Sequence, residues 1–311
     1  MRKLSVIYNI CGISKKEDFL QYVKVLNSLK NQNFDDYNIV VSGCMVEDNV
    51  LNLLKNTYPD ILVVNVKDVV PVNVSFNATV KTINKTVGPS EGYLYLDYGV
   101  SLNKEDNLQN LYNLFKSGPY SMVSTQTEND NGYHLWFGLG KFHGDESENY
   151  KLFENGDFVV PVGKCVNLHA QIFSHELYEA YGKVIPDIFA AYCTESVLSF
   201  LNAAIKRQWI ISKDIILPHT ELAYNCASGF GNGVNGLDRP FGFNYSILDR
   251  IAPGVPHGMG YDESRGLVMH NTSCFDDNGF CTNDDLKQYI KDYIFLSNEE
   301  FNYDELEICM I

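Results

Sequence analysis

The sequence predicts an α/β fold with a mostly parallel sheet flanked by helices. Two observations carry this. Over the first 66 residues, strand-like and helix-like patterns alternate in the order strand, helix, strand, helix, strand, the signature of parallel strands joined by helical crossovers. Farther on, Tyr93-Leu-Tyr-Leu96 has the aromatic and apolar composition of a buried strand and ends on an acid, Asp97. Ligands of open α/β sheets bind beyond the carboxyl ends of the strands, so Asp97 stands where a site is expected. With Gly99 two residues later, Asp97 also fits a plain turn, and both readings stand.

Taken in order, Leu4-Ser-Val-Ile-Tyr-Asn-Ile10 is a first strand, and residues 17–29 place Phe19, Leu20, Val23, Leu26 and Leu29 at amphipathic helical spacing. Residues 37–42 form a second strand closed by Gly43, residues 48–56 a helix, and residues 61–66 a third strand. Helices are expected over 75–86 and 106–115, on either side of the Tyr93–Asp97 strand, and another strand over 121–126. His134-Leu-Trp-Phe-Gly138 suits an antiparallel strand, and structure resumes at Phe158. A short helix over 174–181 is stopped by Gly182. Thr194-Glu195-Ser196 opens a strongly apolar helix, followed by two late strands at 209–212 and 215–219. Residues 227–260 hold eight glycines and read as a long loop excursion. The chain ends in a helix over 284–297 and an acidic tail. This divides it into a core over 1–222 and an extension packed on it over 223–311, loop-rich to 262 and helical and acidic beyond.

Composition limits the partners. The 24 basic and 39 acidic residues leave a net charge of −15, which argues against broad nucleic-acid binding, since that needs Lys and Arg to replace counterions. Residues 262–311 carry three basic and twelve acidic residues and so hold −9 of that charge, a solvated surface on the simplest reading. The eight cysteines form no Cys-x-x-Cys and no zinc spacing. No secretory signal begins the sequence, and no run reaches the roughly 20 apolar residues of a membrane span. Reduced thiols in a cytoplasmic protein are the expectation.

Several motifs are missing. The first strand lacks the Gly-x-Gly-x-x-Gly of dinucleotide sites, and no P-loop occurs. His175-Glu176 lacks the second histidine of a metalloprotease, and there is no nucleophile elbow.

What remains resembles a nucleotide-sugar glycosyltransferase of the GT-A fold, inverting and family-2-like. Four stretches carry the resemblance: the first strand and helix; Asn77-Ala-Thr-Val-Lys81 before the central strand; Tyr95-Leu-Asp97-Tyr-Gly99 in the place of the family's Asp-x-Asp motif; and Pro186-Asp-Ile-Phe-Ala-Ala-Tyr-Cys-Thr-Glu195 in the place where inverting members carry their base. The chain departs from the pattern at Gly99, where a second acid belongs, and at Ser42-Gly43, where many relatives place an acid near the nucleotide base.

The resemblance implies a GT-A type mixed sheet, and transfer of a hexose or pentose from a nucleoside-diphosphate donor to an acceptor hydroxyl of a glycan or other molecule. It implies Mn²⁺ or Mg²⁺ held by Asp97, with His219 as the further ligand and His257 and His270 as weaker rivals. Glu195 is the implied base, Asp187 its runner-up, and Tyr8, Asn9, Asn77, Lys81, Asp97 and Arg239 the donor contacts. Tyr133, His134 and Trp136 are candidates for stacking on a sugar. Two other readings stay open: a sugar-phosphate nucleotidyltransferase, for which Cys11-Gly-Ile-Ser-Lys-Lys16 is a poor loop, and a non-catalytic glycan- or nucleotide-binding module, which Gly99 keeps in play.

Overall fold

A computed structural model describes residues 1–11, 16–68, 70, 72–129, 156–160, 169–185, 194–220 and 302–311. The predicted alternation is present: β1 (Arg2–Cys11), α1 (Lys16–Lys30), β2 (Tyr37–Cys44), α2 (Asp48–Thr57), β3 (Leu62–Val66), α3 (Val72–Thr86), β4 (Ser90–Leu96), α4 (Asn107–Lys116) and β5 (Tyr120–Asn129). Then come β6 (Phe158–Val159), β7 (Ala170–Ser174), α5 (His175–Tyr181), α6 (Thr194–Ala204), β8 (Gln208–His219) and β9 (Ile308–Met310).

Among the described residues these strands form one nine-stranded sheet in the order β6-β8-β5-β7-β4-β1-β2-β3-β9. Strands β1 to β4 run parallel, and β5 and β8 run parallel to each other. The shorter β7, β6 and β9 run against their neighbours. The sheet is therefore mixed and mostly parallel, as predicted.

Alternation along the strands sends side chains to two cores. On one face Tyr93, Phe173 and Trp209 pack with Phe76 and Val80 of α3 and with Leu198 and Leu201 of α6. On the other, Leu94, Leu96 and Tyr8 pack with Leu26 of α1, Leu51 of α2 and Leu111 of α4. These two layers hold the carboxyl ends of β1 and β4 rigidly side by side.

Three elements differ from expectation. The short strand β7 was not anticipated; its five residues lie entirely buried between β4 and β5, too short to separate from the helix that follows. The two late strands are one, β8. Ser124 pairs with Ile211 and Gln126 with Ile216, so the polar 212–214 stretch is a bulge within a continuous strand. Gln126 satisfies that bulge by donating to the Lys213 carbonyl at 2.6 Å. The end of the chain, expected as an acidic tail, contributes the edge strand β9, which pairs antiparallel with β3. His134–Gly138, the glycine-rich stretch and the 284–297 helix lie outside the described residues. Among the described residues no helix is long and apolar enough to cross a membrane.

Helix α5 has both predicted ends. The Ser174 hydroxyl accepts from Leu177 N–H, and Gly182 closes the helix at φ 76°, where a side chain would be strained. Ser174→Ala is expected to cost about 1 kcal/mol, read as a lower urea midpoint at unchanged slope.

Candidate functional site

The site grows from the end of β4. Val100 N–H donates to the Asp97 carbonyl at 3.0 Å, closing a tight turn over Asp97-Tyr-Gly-Val100. The Asp97 carboxylate braces it, Oδ1 accepting from Tyr98 N–H at 2.9 Å. From β1 below, the Tyr8 hydroxyl donates to the Tyr98 carbonyl at 2.8 Å. The turn reading of Asp97 is therefore correct, and it occupies only Oδ1.

Oδ2 meets two histidines. Strand β7 runs antiparallel to β4 with Ala170 opposite Leu96, so the residue before it arrives beside the residue after Leu96. Asp97 N–H donates to the His169 carbonyl at 2.7 Å, and His169 Nδ1 lies 3.0 Å from Oδ2. A carboxylate only accepts, so His169 supplies this proton. Its other nitrogen, Nε2, is buried and without a hydrogen-bond partner among the described residues. His219 ends β8 and bridges to Val100. Its Nε2 lies 3.9 Å from Oδ2, and its ring centroid 4.4 Å from that of His169.

Electrostatics favour an anion at Asp97. Burial pushes its pKa up, but the hydrogen bond and charge of His169, the charge of His219 and the Tyr98 amide outweigh burial and leave it below the usual carboxylate range. The carboxylate remains 28% exposed, against 15% for His169 and 6% for His219, so it forms the open side of a half-buried cluster.

Each of the three residues offers one ligand atom, and these lie within 4.8 Å of one another. Metal–ligand bonds of about 2.1 Å separate neighbouring ligand atoms by about 3 Å and opposite ones by about 4.2 Å. The 3.0 and 3.9 Å separations from Oδ2 fall in that range; an ion held there would take the place of the proton that His169 Nδ1 gives to Oδ2, the ring then being protonated on Nε2. One carboxylate and two imidazoles fit a divalent transition ion with coordination positions to spare.

Gly99 has a physical reason. A Cβ there would overlap the Thr220 carbonyl oxygen and come within 3.0 Å of the His219 ring. Thr220 N–H in turn donates to the Gly99 carbonyl at 2.9 Å. The space of a second acid is filled by His219 and the chain behind it.

The other expected site residues divide as follows. Asn9 lies beside Asp97 across the β1–β4 register, donates to the Leu96 carbonyl at 3.2 Å, and keeps its buried Oδ1 unpartnered among the described residues. Tyr8 is fully buried in the opposite core and supports the turn from below. Asn77 bonds to Val184, Ile185 and Tyr303, and Lys81 pairs with Asp304 at 3.0 Å. Glu195 falls in the first turn of α6, and its side chain is outside the described residues. Asp187, Arg239, Tyr133, His134, Trp136, His257 and His270 are outside them altogether. Sequence reasoning missed His169. Its one signal is a histidine immediately before Gln-Ile-Phe, and that has meaning only once β7 is known to run antiparallel beside β4.

No family model matches the chain, and no curated protein matches its sequence significantly. Solved structures do match in fold. The mannosyltransferase PcManGT from Pyrobaculum calidifontis, in complex with GDP-Man and Mn²⁺, superposes with a TM-score of 0.52 at 14% identity, over 82% of this chain and 63% of that one. S. aureus TarS 1-349 gives 0.51 at 14% identity, over 70% of this chain and 60% of that one. Its complex with UDP gives 0.51 at 14%, over 80% and 70%. The chain thus spans about three-fifths of the length of the first two. The topology, the cluster beyond the end of β4 and these superpositions agree: the chain has a GT-A-like glycosyltransferase fold.

Proposed function

We propose that the protein is a glycosyltransferase, moving a hexose or pentose from a nucleoside-diphosphate sugar to an acceptor hydroxyl, with a divalent cation held by Asp97, His169 and His219. One observation carries the reading: these three side chains converge beyond the carboxyl end of β4, where open α/β sheets bind ligands. The named neighbours support it, one holding GDP-Man and Mn²⁺ and another UDP.

Bound there, the cation supplies charge neutralisation for the departing diphosphate. The chain's own residues do the rest. Tyr8 and the Asp97–Val100 turn hold the carboxylate in place. Asn9 offers an unused acceptor to a donor hydroxyl beside it. Glu195 is the base that takes the acceptor's proton during in-line attack, inverting the anomeric centre. Its place in the first turn of α6 favours the ionised form. Asp187 is the alternative base or an acceptor contact, and Arg239 a phosphate contact through its planar fork. The glycine that keeps a non-catalytic module in play has a steric cause in His219 and Thr220, which supports the catalytic reading over that one.

The test is nucleoside-diphosphate release by the full chain from a panel of UDP- and GDP-sugars. Turnover of one donor is expected, lost in EDTA and restored by Mn²⁺ about tenfold better than by Mg²⁺, because imidazole ligands suit transition ions and magnesium prefers oxygen. Donor binding without turnover under any ion would point to the module instead. Turnover indifferent to EDTA would remove the cation from the reading.

A further inference from the structure

Gln171 lies in the middle of the sheet, fully buried on β7. Its amide ends a relay of hydrogen bonds. Trp209 Nε1–H donates to Ser124 Oγ at 2.8 Å, and the Ser124 hydroxyl donates to Gln171 Oε1 at 2.9 Å. The other arm, Nε2, is buried without a hydrogen-bond partner among the described residues, and so is His169 Nε2. The relay needs only Oε1, so it leaves the buried donor unexplained, and an unused buried donor is costly.

The two unused nitrogens belong to neighbours. Gln171 stands opposite Tyr95 on β4. Two residues earlier, His169 bonds through backbone and side chain to Asp97, two residues after Tyr95. Side chains two apart on a strand share a face, with about 6.6 Å between their stems, a gap that a glutamine and a histidine close between them.

His169 Nε2 changes character when an ion binds. While Nδ1–H donates to Asp97, Nε2 is an acceptor, and the free arm of Gln171 is a donor. With an ion on Nδ1, Nε2 carries the proton and needs an acceptor. A primary amide offers both roles. Turned over, Gln171 presents Oε1 to His169, and its Nε2 donates to Ser124 Oγ, which has a second acceptor position beside the bond from Trp209. Imidazoles that ligate metals are held by a partner of this kind on the other ring nitrogen.

We propose that Gln171 is a positioning residue for the ion. It accepts the Nε2 proton of His169 and so holds the ring whose Nδ1 binds. This rests on the cation reading above.

The full chain carrying Gln171→Met, of similar length without the amide, is compared with wild type and with Gln171→Glu, whose carboxyl has an acceptor oxygen in either protonation state. By electron paramagnetic resonance, Mn²⁺ affinity is expected to fall about 10- to 100-fold in Gln171→Met and to recover to within about threefold of wild type, or better, in Gln171→Glu. Without metal, the melting temperature of Gln171→Met is expected to stay within about 4 °C of wild type, because the bond lost to Ser124 is offset by removal of the unused donor. Nuclear magnetic resonance gives a second readout on wild type, with Cd²⁺ as a diamagnetic probe. A slowly exchanging His169 Nε2–H close to the Gln171 side chain is expected with the ion, and contact between the Gln171 amide protons and the His169 ring without it. If Gln171→Met does not fold, these spectra decide. Affinity unchanged in Gln171→Met, an equal loss in both variants, or no contact between Gln171 and His169 would each overturn the proposal. A wild type that binds no divalent ion sinks the cation reading and this role with it. One that binds the ion, with affinity unchanged in Gln171→Met, sinks this role alone.

Discussion

Asp97→Asn is expected to weaken Mn²⁺ binding by at least about 100-fold and to abolish donor turnover while the protein stays folded. The amide oxygen of the variant can still accept from Tyr98 N–H in the place of Oδ1, and its Nδ2, in the place of Oδ2, can donate to His169 Nδ1 with that ring protonated on Nε2 instead. The turn and the His169 ring therefore keep their places, and what is lost is the one formal negative charge in the ligand set. Loss of a group that only orients a metal ligand costs about 10- to 100-fold in affinity, so loss of the sole anionic ligand belongs at or above the top of that range. Titration of Mn²⁺ by electron paramagnetic resonance, beside a thermal melt, separates binding from folding. Retained affinity would show that the ion sits elsewhere and would sink the assignment of this site.

The same variant has a pH signature. The pKa of Asp97 is lowered in the fold, because the hydrogen bond and charges around it outweigh its burial. A carboxylate depressed by folding stabilises the native state above its unfolded pKa of about 3.9, and that contribution fades as pH falls below this value toward the folded one. Wild type should therefore lose stability on acidification below about pH 4 more steeply than Asp97→Asn, measured by urea unfolding without metal.

How far the sequence reveals this molecule depends on the range of the interaction. The strand and helix alternation of the first 66 residues is a local pattern, and the structure has it. So is the end of β4 on Asp97. His219 was legible because it closes a strand. His169 was not, because its place beside Asp97 comes from the antiparallel placement of five-residue β7 beside β4, a long-range pairing with no periodicity to announce it. The 212–214 bulge looked like a break because its polar residues interrupt an apolar run, and only the side chain of Gln126 from β5 makes it continuous. Asn77 and Lys81 show another limit. The stretch was noticed through resemblance, but its contacts are with residues 107 and more positions away, and nothing local points to them.

Gly99→Asp restores the acid that the family pattern places there, and it is expected to weaken the site. A Cβ at residue 99 would overlap the Thr220 carbonyl and press on the His219 ring at 3.0 Å. Neither is free to move. Thr220 N–H donates to the Gly99 carbonyl, Ser101 N–H donates to the Pro218 carbonyl, and Val100 bridges to His219. Making room breaks these bonds and swings His219 away from Asp97. A cost of about 1–3 kcal/mol in stability is expected for such overpacking, with a fall of about tenfold in Mn²⁺ affinity for the displaced imidazole. Gly99→Ala is the control, and a similar loss there would show that the cause is steric and that the added carboxylate contributes nothing. Removing the ring as well, in Gly99→Asp with His219→Ala, should not restore affinity, because the Thr220 carbonyl still occupies the space. Tighter binding in Gly99→Asp alone would mean that the turn yields easily and that the acid, not His219, is the better second ligand. The two arrangements exclude each other in space. An ion at this site would therefore be held either with an imidazole reaching over a bare turn or with a second acid on it, and the glycine of this chain favours the first.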